Sequence, residues 1–285
     1  TYVWFDALIN YISAIGWNHD NKKFNNYWPV NYHLMAKDII TTHCVYWPTM
    51  LMACNIQLPK TIFAHGWWLI DNIKMSKSIG NVIKPLDLGN KYGSDSLRYY
   101  LMSNMVLGQD ATFTLDSFIV KYNSDLANDY GNLVNRVLMM IDKNFKSKIP
   151  KPGNFNKIDL DLIIKAKEIP NKIINNYNVL KIHKAIELIM ELFKSVNKYL
   201  ELKAPWKLIK INSSECSEAA TTLYISAEIL KIGTILLQPV MPNKTRILLD
   251  SLGIDLANDY SFGNLPPDTK ISTPANLFPR IEKNE

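Results

Sequence analysis

The texture of the sequence changes near residue 84, and that change limits the folds open to the chain. Up to Lys84, short β-like runs alternate with helical stretches. Tyr2–Phe5 reads as a strand leading into a helix over Ala7–Ile15, with Asp6 as its N-cap. Val30–Met35 leads in the same way into a helix from about Ile39 to Cys54 with Asp38 at the cap, and Thr61–Ala64 ends at His65-Gly66. Strand, helix, strand, helix, strand predicts a parallel, doubly wound sheet, whose ligands sit beyond the carboxyl ends of the strands. From Pro85 onward the strand pattern gives way to helical segments: Pro85–Tyr92, Ser94–Ser103 and, after a loop at Gly108–Asp110, Leu115–Phe145, Leu160–Asn176, Val179–Leu202, Glu215–Leu237 and Pro242–Leu252. In the first long one, Tyr130, Leu133, Val134, Val137, Leu138, Ile141 and Phe145 keep helical spacing on one face. The fold class expected is α/β followed by all-α, with an irregular, Pro-rich tail from Tyr260.

Length and composition accommodate that division. The 285 residues suffice for two domains, and 47% hydrophobic with 20% charged residues supplies apolar side chains for both cores. No stretch approaches the ~20 uninterrupted apolar residues of a membrane span, and no secretory-type leader opens the chain. Cys44, Cys54 and Cys216 show no CxxC spacing, so buried, reduced thiols in a cytoplasmic protein are expected rather than a disulfide framework or a zinc site. A net charge of +6 suits a polyanionic partner without demanding one. The opening Thr1–Phe5 has no cap and no lead-in, so the chain is expected to begin inside a domain.

The most specific signal is Lys74-Met75-Ser76-Lys77-Ser78, followed by Ile79-Gly80-Asn81. Two lysines on a closing loop can neutralise the charge that builds on departing pyrophosphate, while serines add hydrogen bonds and glycine leaves the backbone free. The pentapeptide resembles, letter for letter, the KMSKS signature of the class I aminoacyl-tRNA synthetases. Around it lie Trp4-Phe5-Asp6-Ala7-Leu8-Ile9-Asn10-Tyr11, Asp38-Ile39 followed by His43, and His65-Gly66-Trp67-Trp68. Together these resemble the methionyl-tRNA synthetase family.

That resemblance implies roles residue by residue. Lys74, Ser76, Lys77 and Ser78 would act on the phosphates, while Asp38, His65, Gly66, Trp68 and Lys77 would hold ATP with its Mg2+. Trp4, Ala7, Leu8 and Tyr11 would surround the methionine side chain, with Ile39 and His43 closing the far wall. Positions 4, 7, 8 and 11 share one helical face. A thioether is well held by aromatic faces and a hydroxyl, for which Tyr11 is the candidate. Residues alone leave alternatives: the stripe as plain core, His43 as a satisfied core histidine, and Asp38 as a ligand for ribose or ammonium or only an N-cap. Ala36 stands where the resemblance expects glycine.

In the helical half, Asn128, Asn132 and Arg136 are spaced i, i+4, i+8 and form a polar stripe, and Ala204-Pro205 sets Trp206 at a helix end. The resemblance gives these four residues the CAU anticodon, with amides and guanidinium on base edges and indole as a stacking platform. The stripe alone reads equally as a solvated face. The implied architecture is the C-terminal half of a Rossmann-type catalytic domain over 1–84, a stem-contact connection over 85–115 and a helical anticodon-binding domain over 116–285. No His-x-Gly-His element occurs, nor a connective insertion with any zinc, so a chain of this extent is expected to be inactive alone. The expected partners are tRNA(Met), methionine and ATP. A non-catalytic tRNA-binding module is the alternative, against which an intact KMSKS stands.

Overall fold

The computed structural model describes residues 2–70, 73–75, 82–211, 218–254 and 259–282. The chain divides into two compact units, Thr1–Met75 with Val106–Thr112 and Ser76–Met105 with Phe113–Glu285.

The first unit opens on α1 (Val3–Ser13) and α2 (Asn21–Tyr27). Strand β1 (His33–Ala36) then leads into a 3₁₀ turn (Lys37–Ile39), which runs on through a π-helical stretch (Thr42–Tyr46) into α3 (Trp47–Ala53). β2 (Ile62–His65) pairs in parallel with β1, Ala36 opposite His65, so both carboxyl ends open on one edge. β3 (Trp68–Ile70) lies between the antiparallel β4 (Ile73–Lys74) and the parallel β5 (Ala111–Thr112).

Four sequence expectations change here. Cys44 and Cys54, expected to be buried, are exposed free thiols. The residues expected as an opening strand are the first turn of α1, with Tyr2 at the cap position and Asp6 inside the helix. Aromatic and β-branched types favour a strand locally, but Leu8 and Ile12 bury against Trp28, Trp47 and Leu51 with Trp4 packed beside them, and only helical spacing delivers that set. Asp38 is no N-cap. Ala36 occupies the cap, and the Asp38 carboxylate turns instead to Lys74 and Trp67. Strand pairing also resumes beyond Pro85, because β5 returns to β3.

The second unit holds α4 (Pro85–Tyr92), α5 (Ser94–Asn104) and a continuous run of α6 (Leu115–Lys121), a π-helical segment (Tyr122–Gly131) and α7 (Asn132–Asn144). α8 (Lys157–Asn178), α9 (Ile182–Lys203), α10 (Pro205–Ile211), α11 (Glu218–Leu237) and α12 (Pro242–Ser251) follow. Of the apolar face expected on the continuous run, Tyr130 through Ile141 is fully buried, and Tyr130 stacks on Phe193 of α9 at 4.6 Å. α11 is buried from Ala219 to Leu237 among α7, α8, α9, α10 and α12. Among the described residues it is the one helix long and apolar enough to cross a membrane, and that composition here serves a core. At Gly233 an added Cβ would lie 2.4 Å from the Phe193 ring, so glycine is what lets α11 approach α9. The tail is irregular as expected and is tied down by Leu265 N–H donating to buried Glu228 (2.6 Å) and by a bridge between Lys148 and Lys270.

Candidate functional site

The edge formed by β1 and β2 gathers charge on one indole. Asp38, in the turn after β1, accepts from Trp67 Nε1 at 3.4 Å and lies 3.6 Å from Lys74 Nζ, the first lysine of the KMSKS sequence. Asp110, just before β5, accepts from the Trp67 backbone N–H at 2.9 Å, and both its oxygens engage Lys37 Nζ, at 2.7 and 2.8 Å. The ammonium groups of Lys37 and Lys74 lie 4.2 and 4.0 Å from the Trp67 ring centroid. The Asp38 carboxyl is held below its ordinary range first by a backbone N–H and then by the Trp67 indole. Lys37 and then the Trp67 N–H hold Asp110 down likewise. Both carboxylates are therefore ionised at neutral pH, and both are lost as partners only when pH falls through their lowered values.

His65 ends β2, and its Nδ1 donates to the Gly66 carbonyl at 2.7 Å. Asp38, His65 and Gly66 therefore share this edge, while Trp68 lies in β3 opposite Ala111. Gly66 has a packing reason of its own, since an added Cβ would lie 2.0 Å from the Gln109 carbonyl oxygen. Gly66→Ala is expected to force the 106–112 segment off the edge and to destabilise the protein by about 1–3 kcal/mol. An unchanged urea midpoint in the alanine variant would show that the segment yields freely.

Around His43 stands a cluster of rings. His43 is 1% exposed. Its Nδ1 contacts the Ile39 carbonyl at 3.0 Å, and a carbonyl only accepts, so the proton of the neutral ring is on Nδ1. Nε2 is then the acceptor, and the Tyr11 hydroxyl donates to it at 3.0 Å. Trp4 meets His43 edge-on at 6.1 Å. Trp4, Tyr11, His43 and the Ile39 carbonyl are thus brought together. Leu8 faces the core at 1% exposure, and it and Trp4 line an apolar cleft of about 310 Å³ with Tyr46 and Met50; Ala7 is exposed. Because the Tyr11 proton is engaged by His43, what the hydroxyl has to spare is its lone pairs.

In the second unit, Asn128 and Asn132 are exposed and Arg136 is half-buried, so the stripe lies on the outer side of its run. The Arg136 guanidinium sits 5.4 Å from the ring of Trp206, which is 38% exposed. Trp206 owes its place to Ala204, whose left-handed backbone (φ 42°, ψ 55°) ends α9 and lets Pro205 open α10. Under that turn Lys203, with its side chain 3% exposed, lies 3.2 Å from Asp159 and also pairs with Glu218. Asp159 accepts from Tyr199 at 2.8 Å and from the Asn156 N–H at 2.9 Å, closing the capping box of α8. Burial, then Asp159, pushes the Tyr199 phenol up.

Sequence reasoning overlooked Trp67 as the hub of the edge, together with Lys37 and Asp110, and overlooked Lys203 with Asp159. A tryptophan doublet directly after a strand end was the available hint for Trp67; the ion pairs left none. Ser76, Lys77 and Ser78 lie outside the described residues. The described residues gather no group of three or more His, Cys, Asp or Glu that could hold a metal ion.

A family model described as class I tRNA synthetases (M) matches residues 1–138, and one described as the anticodon binding domain of methionyl tRNA ligase matches residues 149–285. The methionine–tRNA ligase of Caldanaerobacter subterraneus subsp. tengcongensis is 42% identical over 99% of the chain and 45% of its own length. That of Mycobacterium tuberculosis is 38% identical over 99% of the chain and 55% of its own length. The structure of Mycobacterium tuberculosis methionyl-tRNA synthetase in complex with methionyl-adenylate superposes with a TM-score of 0.92 at 39% identity, covering 98% of this chain and 56% of that one. The chain spans about half the length of the curated relatives it matches. Between them the two family models account for nearly the whole sequence, and the chain belongs to the methionyl-tRNA synthetases, in class I of the aminoacyl-tRNA synthetases.

Proposed function

We propose that the protein attaches methionine to its tRNA at the expense of ATP, and that this chain supplies part of the methionine and ATP site together with the anticodon reader. The methionine carboxylate attacks the α-phosphate and pyrophosphate leaves; a ribose hydroxyl of the terminal adenosine of the tRNA then attacks the methionyl carbonyl of the adenylate and AMP leaves. Residues 1–84 carry the chemistry, 85–115 connect and contact the stem, and 116–285 read the anticodon. The work belongs to the cytoplasm, where these substrates meet.

One observation carries the catalytic half: Lys74 rests between the Asp38 carboxylate and the Trp67 ring at the open edge of β1 and β2. A substrate ammonium or ribose hydroxyl arriving at Asp38 competes for that carboxylate and releases Lys74 toward the phosphates. Lys77 joins it there, with Ser76 and Ser78 as hydrogen-bond partners, acting on charge that develops only as pyrophosphate departs. His65, Gly66 and Trp68 border the adenosine. Trp4, Ala7, Leu8, Tyr11, Ile39 and His43 form the methionine pocket. The edge carboxylates are already engaged by lysines, so Mg2+ would arrive with the triphosphate and would neutralise part of its charge.

For the reader, Arg136 and Trp206 form one composite surface, with Asn128 and Asn132 continuing it on the outer side of the helix. The full-length protein should catalyse methionine-dependent pyrophosphate exchange and prefer a stem-loop bearing CAU over one with a changed base. Trp206→Ala should weaken the CAU complex by about 1–3 kcal/mol through the lost stack. Asn132→Ala and Arg136→Ala should instead narrow the ratio between the two loops, since base edges rather than phosphates are what they meet. A competition titration at fixed salt reads both effects. Equal ratios in all four proteins would leave the stripe a solvated face, and loop discrimination without any exchange would leave a tRNA-binding module rather than an enzyme.

A further inference from the structure

His33 lies at the start of β1, 6% exposed, behind the methionine-pocket cluster. The indole Nε1–H of Trp47, itself 1% exposed, donates to His33 Nε2 at 3.1 Å. An indole nitrogen only donates, so this bond requires an unprotonated Nε2. The His33 ring is also the nearest aromatic neighbour of Tyr11, with centroids 4.5 Å apart, while His43 and Trp47 stand 5.7 and 5.9 Å from the same phenol. Tyr11 is therefore backed by His33 at its ring and held by His43 at its hydroxyl.

We propose that His33 is a positioning residue of the methionine site: as a neutral acceptor for Trp47 it fixes the wall on which Tyr11 lies, and its protonation loosens the site for methionine. This rests on the reading of Trp4, Tyr11 and His43 as the methionine pocket. A doubly protonated His33 points an N–H at the Trp47 N–H. One of the two rings must then turn, and Tyr11 loses its backing together with the geometry of its bond to His43. The titratable groups facing His33 are Tyr11 from α1 and His43 from the π-helical stretch; α3 contributes Trp47, and β2 sets Ile62 beside it in the register. Burial first, and the charge of His43 second, lowers the His33 pKa. The sign follows: the neutral, ordered form is complete above the ordinary histidine value of about 6.5 and is lost as pH falls below it through the lowered value.

The test uses the full-length enzyme and follows KM for methionine and kcat of pyrophosphate exchange between pH about 7.5 and about 5. His33→Gln keeps an acceptor near the place of Nε2 but does not titrate. The wild type is expected to show a rise of about five-fold or more in methionine KM toward low pH with kcat nearly unmoved, because a lost buried hydrogen bond acts here on the wall rather than on the reacting phosphates. His33→Gln is expected to match the wild-type KM at high pH and to stay flat as pH falls. His33→Leu, which leaves the Trp47 N–H without its acceptor, should show a raised KM at every pH. If His33→Gln keeps the full pH dependence, another group carries it and the proposal fails. A fall in kcat at constant KM overturns it equally. Exchange that does not depend on methionine at all would overturn the pocket assignment itself, an outcome distinct from either.

Discussion

Lys77→Ala in the full-length enzyme is expected to slow formation of methionyl-adenylate by about 10²–10³, with little change in methionine KM. Two lysines bracket the signature, and the described partners of the first make it the less direct probe. Lys74 has ground-state partners in Asp38 at 3.6 Å and the Trp67 ring, so its removal also leaves the Asp38 carboxylate uncompensated and changes what the substrate meets on arrival. Lys77 is the one proposed to meet charge that exists only as pyrophosphate leaves. Uniform binding of ground and transition states would lower KM without raising kcat, whereas a contact formed only on departure raises kcat alone. Single-turnover adenylate formation at saturating ATP and methionine separates the two cases. A variant with a normal single-turnover rate and a raised methionine KM would move Lys77 from the phosphates to substrate binding.

What could be read in the sequence and what could not divides along the length scale of the interactions. Local periodicity carried helices such as α7 and α9, because each buries one continuous face and the 3.6-residue repeat of that face is written in consecutive residues. α1 misled at the same scale. Tyr2, Val3, Trp4 and Phe5 favour a strand by type, and only burial of Leu8 and Ile12 against residues 28 to 51 shows that the face is helical. The same holds for Asp38, whose cap-like position was overridden by a lysine 36 places away by number, Lys74 against Asp38. Asp110 joins Lys37 across a separation of 73 residues, and no pattern in either segment announces the other. The KMSKS run stands out in the sequence because it is written in five consecutive residues, of which Ser76, Lys77 and Ser78 lie outside the described residues. Trp67 was passed over for its neighbour Trp68, since alternation along a strand does not say which of two adjacent indoles faces the charged edge until the partner strand β5 is in place.

The other large effect expected concerns stability. Lys203→Met should cost about 3 kcal/mol, the lower end of what breaking a buried ion pair by removing one partner costs. The lysine and Asp159 have side chains 3% and 1% exposed, so neither recovers solvent when the other is lost. The loss is moderated because Asp159 keeps the Tyr199 hydroxyl and the Asn156 N–H, and because Glu218, the other partner of Lys203, is half exposed and rehydrates. Asp159→Leu alone should cost at least as much, since it leaves the buried Lys203 with Glu218 as its one ion-pair partner among the described residues and opens the capping box of α8. The double variant Lys203→Met with Asp159→Leu should then cost distinctly less than the two added together, because an apolar pair of similar volume needs no compensation. Urea midpoints of the three variants in the full-length enzyme measure this, and strict additivity would mean that the two side chains do not depend on one another. On the proposed reading of Trp206 and Arg136 the same residues would also bear on recognition: Lys203 is the last residue of α9, directly before the left-handed Ala204 that precedes Trp206. If the pair also holds that turn, the single variants should lose CAU affinity at temperatures where they remain folded, while the double variant, with both charges gone, should recover most of its stability without recovering the affinity. Recovery of both together would reduce Lys203 and Asp159 to a staple of the bundle with no part in aiming the indole.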